Sequence, residues 1–509
     1  MLFEAVLFLS ATFLGEPGSN LAIEVRNFTI ITHLPLMFLA EFFRFAEGPV
    51  GTVFFMIVAF GLMASLWGLL LLLITRLARW IWLHLARWQK HAFWIAAGIC
   101  AMVLLAQAVV SGLPQTPVPF APAPETKAVV EGNNAFALDL YQKLKDKPGN
   151  LFCSPFSISS ALAMTCAGAR GRTEAEMTNV LHLGLPPGQL HPAFKALLTR
   201  LDGVQRWHRI TLKCANSLWK QEDHPFSTDF LKTVHENYSA EATPVDFKNN
   251  PAAAVAEINR WIEEKTNGKI PGGFDASQFG PNAQLALCDA IYFKGKWLHP
   301  FKKSETKPAP FYITTNETVT VPMMFGHAEF KHATAEYGML EMLELPYSGQ
   351  DLSMVILMPS KFVPEDEHFD IHDLDLKLTP ENLRGWLAEL DRHGAHKTSV
   401  WLPRFTTRSS FDLADDLKAM GMTSAFSGAA DFSGMDGTRS LYLTDVFHKT
   451  FVEVNEAGTE AAAVSIVLAK TKGGSSPFEV DRPFIFLIRD NASGSILFLG
   501  RMLDPTKQF

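Results

Sequence analysis

Few side chains in this 509-residue chain combine the types and spacing of a catalytic centre. His235-Glu236 begins like a zinc-protease motif, but Asn237, Tyr238 and Ser239 follow, so the second histidine one turn later is missing. His368, Asp370, His372 and Asp373 gather imidazoles and carboxylates, the donor set of a weak metal site. They lie in PSKFVPEDEHFDIHDLD, which reads as an exposed, solvated loop. Cys100, Cys153, Cys166, Cys214 and Cys288 are widely spaced with no C-x-x-C, so they read as small buried hydrophobes, not as a disulfide frame or zinc site. A nucleophile elbow, a Walker A loop and a G-x-G-x-x-G turn after a strand are all missing. The expectation is therefore no catalytic residue, no metal and no cofactor. An enzyme of this size would show its constellation, and its absence points to a binding or inhibitory protein.

The elements around these residues divide the chain. Val50–Thr75 and Ala92–Ser111 are uncharged over 26 and 20 residues, each long enough to cross a bilayer. The intervening RLARWIWLHLARWQKH sets Arg76, Arg79, Arg87 and Lys90 beside Trp80, Trp82 and Trp88, as expected of a cytoplasmic interfacial turn. Residues 50–111 are thus expected to be two transmembrane helices, with all that follows on the extracytoplasmic side. Residues 1–49 are apolar and fit either a further span or an interfacial helix. Neither clear span contains the ionisable residues of a transport path. Residues 112–124 hold five prolines and read as a semi-rigid spacer. From 125 to 509 the chain reads as one globular domain of mixed α and β character. Helical patterns lead (AFALDLYQKLKD, AVAEINRWIEEKT), and strand patterns follow (DLSMVILMPS, SVWLPRF, TFVEVNE, RPFIFLIRD, GSILFLGRM). Net charge is −7 without a basic stripe, which argues against nucleic acid as a partner.

One segment fits neither pattern. EAGTEAAAVSIVLAKTKGG, residues 456–474, passes from a helix-prone alanine run through β-branched residues to a basic, glycine-ended tip.

The domain resembles a serpin over nearly all of residues 125–509. The resemblance rests on NLFCSPFSISSALAMTCAGARGRTEAEM, INRWIEEKTNGKI, LALCDAIYFKGKW, WLPRF, SSFDLADDLKAMGMTSAFSGAADFSGM, LYLTDVFHKTFVEVNEAGTEAAA and DRPFIFLIRDNASGSILFLGRMLDP, all in family order. It implies an α+β fold with a large central β-sheet, two further sheets, about nine helices and a reactive-centre loop near the C-terminus, here preceded by transmembrane helices. It also implies a suicide-substrate inhibitor: a protease cuts the loop, and the freed loop inserts into the central sheet and drags the acyl-enzyme with it. The expected partner is a trypsin-like serine protease, met by a monomer at an extracytoplasmic membrane surface. The other open reading is a non-inhibitory serpin-fold binding or chaperone protein.

The same resemblance assigns residues. Gly458 aligns with the hinge glycine, and fourteen residues later Lys472 precedes the scissile bond to Gly473. Lys470 is the alternative in another register. The hinge comprises Glu456, Gly458, Thr459, Ala461, Ala462 and Ala463. Insertion excludes proline, and none occurs from Glu456 until Pro477. If Thr459 points inward, so do Ala461, Ala463, Ser465, Val467, Ala469 and Thr471, all small or β-branched and uncharged. Ser154, Ser157 and His448 match a polar "shutter" beneath the opening sheet, and Trp297 matches the tryptophan where insertion starts. Arg404 is the expected partner of Glu456. Asp289 departs from the family's usual asparagine, and an ionised carboxylate cannot donate the amide's hydrogen bond.

Overall fold

The computed structural model describes residues 73–77 and 120–507, apart from 209, 241, 267, 271–273, 276–284, 363–367 and 460–476. By contacts the chain divides into Met1–Leu113 and Pro114–Phe509. Of the first unit only residues 73–77 are described, as exposed helix.

The second unit begins with α1 (Pro124–Leu144), in which proline occupies the first turn, where its missing N–H costs nothing. Then come β1 (Leu151–Cys153), α2 (Pro155–Cys166), α3 (Gly171–Val180), α4 (Pro187–His208), β2 (Thr211–Gln221), α5 (Thr228–Tyr238), β3 (Ala242–Val245), α6 (Pro251–Lys265) and β4 (Leu285–Lys296). The middle of the domain holds β5 (Lys307–Tyr312), β6 (Thr318–Ala335), β7 (Leu340–Pro346), β8 (Leu352–Pro359), α7 (Ile371–Lys377), α8 (Pro380–Arg392), β9 (His396–Pro403) and β10 (Phe405–Asp412). Last are α9 (Ala414–Ala419), α10 (Ser433–Asp436), β11 (Val446–Asn455), β12 (Gly458–Thr459), β13 (Phe478–Glu479), β14 (Phe484–Asp490) and β15 (Ile496–Met502).

Among the described residues the strands form two sheets. The central one runs β10-β11-β12-β4-β2-β3. The other runs β1-β15-β14-β8-β7-β6-β9-β13, with β5 on β6. The two smaller sheets expected are therefore continuous. The physical reason is the length of β6, which pairs with β9 over Met323–Phe330 and with β7 over Lys331–Ala335. β14 and β15 are buried at every position, as the apolar runs 484–488 and 496–499 require, and the charged Arg489, Asp490 and Arg501 are buried in ion pairs. Helix α2 is also buried on every face, because it packs against β4 of one sheet and β15 of the other. The Thr165 hydroxyl folds back onto the helix, its Oγ1 donating to the Ala161 carbonyl at 3.0 Å.

Two expectations need correction. Among the described residues no helix is long and apolar enough to cross a membrane; the longest, α4 and α1, carry charges along their length. The expected spans lie outside the described residues, except for residues 73–75. The stretch read as a solvated loop is helix-forming at its end: Asp370 and Asp373 build a capping box on α7, and Asp375 is buried, accepting from Tyr141 and Arg501. The described cysteines Cys153, Cys166 and Cys288 are buried and in no disulfide, and burial pushes the Cys153 and Cys166 thiols up to about 12.

Candidate functional site

Strands β4 and β11 are parallel neighbours at one end of their common seam, from Leu287↔Val446 to Tyr292↔Phe451. At the other end they accept a third strand between them. Thr459 and Gly458 of β12 pair with Val454 and Asn455 on one side and with Gly295 and Lys296 on the other. The turn that makes this possible is local. Asn455 Oδ1 accepts from the Ala457 N–H, while the Glu456 and Ala457 carbonyls accept from the backbone N–H groups of Phe301 and Trp297. Gly458 has φ +149°, and a Cβ there would lie 2.1 Å from the Gly295 carbonyl oxygen. No side chain fits, so glycine is required on steric grounds.

Thr459 is fully buried, with Oγ1 2.9 Å from the Tyr347 hydroxyl. Tyr347 stacks on Trp297 at 4.7 Å and meets Phe293 edge-on, and burial drives its phenol well above the ordinary range. The Trp297 indole N–H donates to the Asn455 carbonyl at 3.0 Å. Glu456 is buried; its Oε1 accepts from Thr306 Oγ1 at 2.9 Å and lies 3.6 Å from Nη1 of the half-exposed Arg404. Hinge backbone, aromatic pair and ion pair thus meet at the open end of the seam.

A second constellation lies at the closed end. Ser154 caps α2, its Oγ accepting from the Ser157 N–H at 3.3 Å and donating to the Leu497 carbonyl at 2.6 Å. The Ser154 N–H donates to His448 Nε2 at 2.9 Å, so that nitrogen bears the lone pair and the ring proton sits on Nδ1. His448 is fully buried. Ser157 Oγ lies 3.5 Å from Asn216 Oδ1. Along the sheet, Asn216, Asp289 and His448 occupy one row on β2, β4 and β11. Asp289 is placed by its backbone; its side chain lies outside the described residues. Thr450 Oγ1 donates to the Phe152 carbonyl at 2.8 Å, tying β11 to β1.

Glu456, Gly458, Thr459, Trp297 and Arg404 therefore come together at one end of the seam, and Ser154, Ser157 and His448 at the other. Lys472, Gly473, Lys470, Ala461, Ala462 and Ala463 lie outside the described residues. Tyr347, Gly295, Asn216 and Thr450 escaped sequence reasoning. Each acts through a contact distant in sequence, and only a Tyr-Ser-Gly turn marks Tyr347 locally. The exposed His368–Asp370–Asp373 group holds its ligand atoms within 4.8 Å of one another. Its Asp370 and Asp373 carboxylates already accept backbone N–H groups of the cap.

Comparison with known proteins matches residues 131–505 to the family model described as Serpin (serine protease inhibitor). Leukocyte elastase inhibitor of Bos taurus is 41% identical over 378 residues, covering 73% of this chain and 98% of the relative. Among solved structures, human glycosylated kallistatin superimposes with TM-score 0.68 at 28% identity, covering 76% of this chain and 100% of that one. Human thyroxine-binding globulin complexed with its hormone gives TM-score 0.65 at 30% identity, with 75% and 100% covered. These matches overturn the expectation of an integral membrane protein with an extracytoplasmic domain. The match takes up 98% of the bovine relative and 73% of this chain, so it speaks for the serpin domain and gives no support to spans ahead of it.

Proposed function

The chain belongs to the serpin family and is a serine-protease inhibitor, not an enzyme; on that premise we propose that it traps trypsin-like proteases through the bond Lys472–Gly473. The reading is carried by β12, which already occupies the place of a new strand between β11 and β4 with both edges paired. The residues that would continue it inward from Thr459 are uncharged, and no proline interrupts them before Pro477. Lys472 suits a specificity pocket floored by a carboxylate. The bovine relative is named for elastase, whose pocket is small, so the target class here differs from the one in that name.

In the proposed reaction the protease serine oxygen attacks the Lys472 carbonyl carbon. The C–N bond to Gly473 breaks, the catalytic histidine passes the serine proton to the departing Gly473 amine, and Lys472 remains as an ester on the protease. Residues after Thr459 then extend β12 along the seam. Each step parts β11 from β4 and pairs the incoming strand with both. Ladder bonds contribute roughly 0.5–1.5 kcal/mol net each, so a full strand supplies on the order of 10 kcal/mol. The shutter contacts of Ser154 and His448 must yield as the seam parts, and Asp289 sits in the same row.

The test mixes the full chain with trypsin. The expected product is a complex that survives boiling in detergent, with release of the Gly473–Phe509 fragment identified by mass spectrometry. Lys472→Ala should slow complex formation at least about a hundredfold through loss of the pocket ion pair, a loss of roughly 3 kcal/mol. Free active trypsin alongside cleaved chain would overturn the inhibitory reading in favour of a binding protein. A cut after Lys470 would move the bait residue.

A further inference from the structure

At the edge of the other sheet, β9 begins with His396 opposite Phe330 of β6. Two residues further along β6, His332 turns its Nδ1 to within 3.3 Å of His396 Nε2, with the rings inclined by 47°. The tautomer of His396 follows from its other nitrogen. Nδ1 lies 3.1 Å from the Gly394 carbonyl oxygen, which only accepts, so Nδ1 holds the proton and Nε2 offers a lone pair towards His332.

We propose that His332 and His396 form a binding site for a divalent transition metal of the zinc class. Tetrahedral zinc with Zn–N of about 2.0–2.1 Å holds two ligand nitrogens about 3.3 Å apart, the separation already present here. Binding asks little of the protein. The His332 ring proton moves from Nδ1 to Nε2, and the metal sits about 1.2 Å to one side of the line between the two nitrogens, towards which each ring turns. The Gly394 carbonyl is the outer partner that orients a ligand imidazole. His393 sits in the same turn, at the end of α8, with Nδ1 on the Glu389 carbonyl. Water would fill the remaining positions.

The site would have mechanical consequences. The His332 ring meets Phe478 edge-on at 5.6 Å, and Phe478 opens β13, whose strand partner is β9. A metal joining β6 to β9 would brace the strand that follows segment 460–476.

The experiment titrates the untagged full chain with Zn²⁺ by calorimetry and thermal shift. Saturable binding in the micromolar range is expected, weakened at least tenfold in His332→Gln and in His396→Gln. Asp370→Asn/Asp373→Asn, which disables the competing acidic cluster, should leave it unchanged. Electron paramagnetic resonance of the unsubstituted chain loaded with Cu²⁺ should show coupling to two imidazole nitrogens, a readout that needs no variant to fold. Absence of saturable binding at millimolar Zn²⁺, persistence of binding in the double histidine variant, dependence on Asp370 and Asp373, or an oxygen-only copper spectrum would each overturn the site.

Discussion

The two ends of the β4–β11 seam differ in what lies between the strands. From Val446 to Phe451, β11 pairs directly with β4, and the buried Ser154, His448 and Thr450 hydrogen bonds sit along this half. From Val454 on, the same two strands hold Gly458 and Thr459 between them. The open half has Gly295 and Gly458 against each other and the Trp297–Tyr347 stack beside Thr459. A strand enters a sheet where glycine allows the backbones to approach and where a side chain finds a partner within. The closed half offers complete pairing, so anything entering it must replace existing bonds one residue at a time.

The largest effect on this contrast should come from Thr459→Arg. A guanidinium in place of this fully buried hydroxyl costs several kcal/mol; the uncut chain avoids that cost by leaving the seam, whereas an inserted strand cannot, which favours release of cleaved chain over trapping by a hundredfold or more. The stoichiometry of trypsin inhibition measures it, and full trapping by the variant would refute the account of the open half. Ser154→Ala probes the closed half. It removes the α2 cap and the bond to Leu497, and a loss of about 1–3 kcal/mol in denaturant unfolding is expected, with trapping retained. An unchanged midpoint would show that the shutter contributes nothing to closure.

The smallest effect concerns neither half. Burial raises the Glu176 pKa, but the Ser424 hydroxyl and N–H and then Arg172 outweigh it, and the carboxyl falls to about 2. A carboxylate with a depressed pKa adds stability above its unfolded value near 4.5, and this contribution is lost as the pH falls towards about 2. Between pH 5 and 3 the chain should therefore lose thermal stability by more than Glu176→Gln does. Equal losses would mean that the Ser424 contacts do not matter in solution.

Much of this was legible in the residues. Apolar runs located β8, β14 and β15, and the serpin resemblance placed Glu456, Gly458, Thr459, Trp297, Ser154 and His448, which the structure gathers at the two ends of one seam. The capping box at Asp370 was missed because Asp-Glu-rich composition masks a helix start. The continuity of the smaller sheets was missed because the span of β6 depends on which partners flank it.

By itself the sequence determined that a proline-free segment with small, uncharged alternate residues follows Gly458, since backbone donors and side-chain volume are properties of each residue. It also determined a glycine at the hinge. Only the tertiary structure decided what surrounds β12 in the seam: the Gly295 carbonyl lies beneath Gly458, and Tyr347 meets Thr459 from 112 positions away. Close approach and hydrogen-bond geometry belong to pairs of residues that only folding brings together.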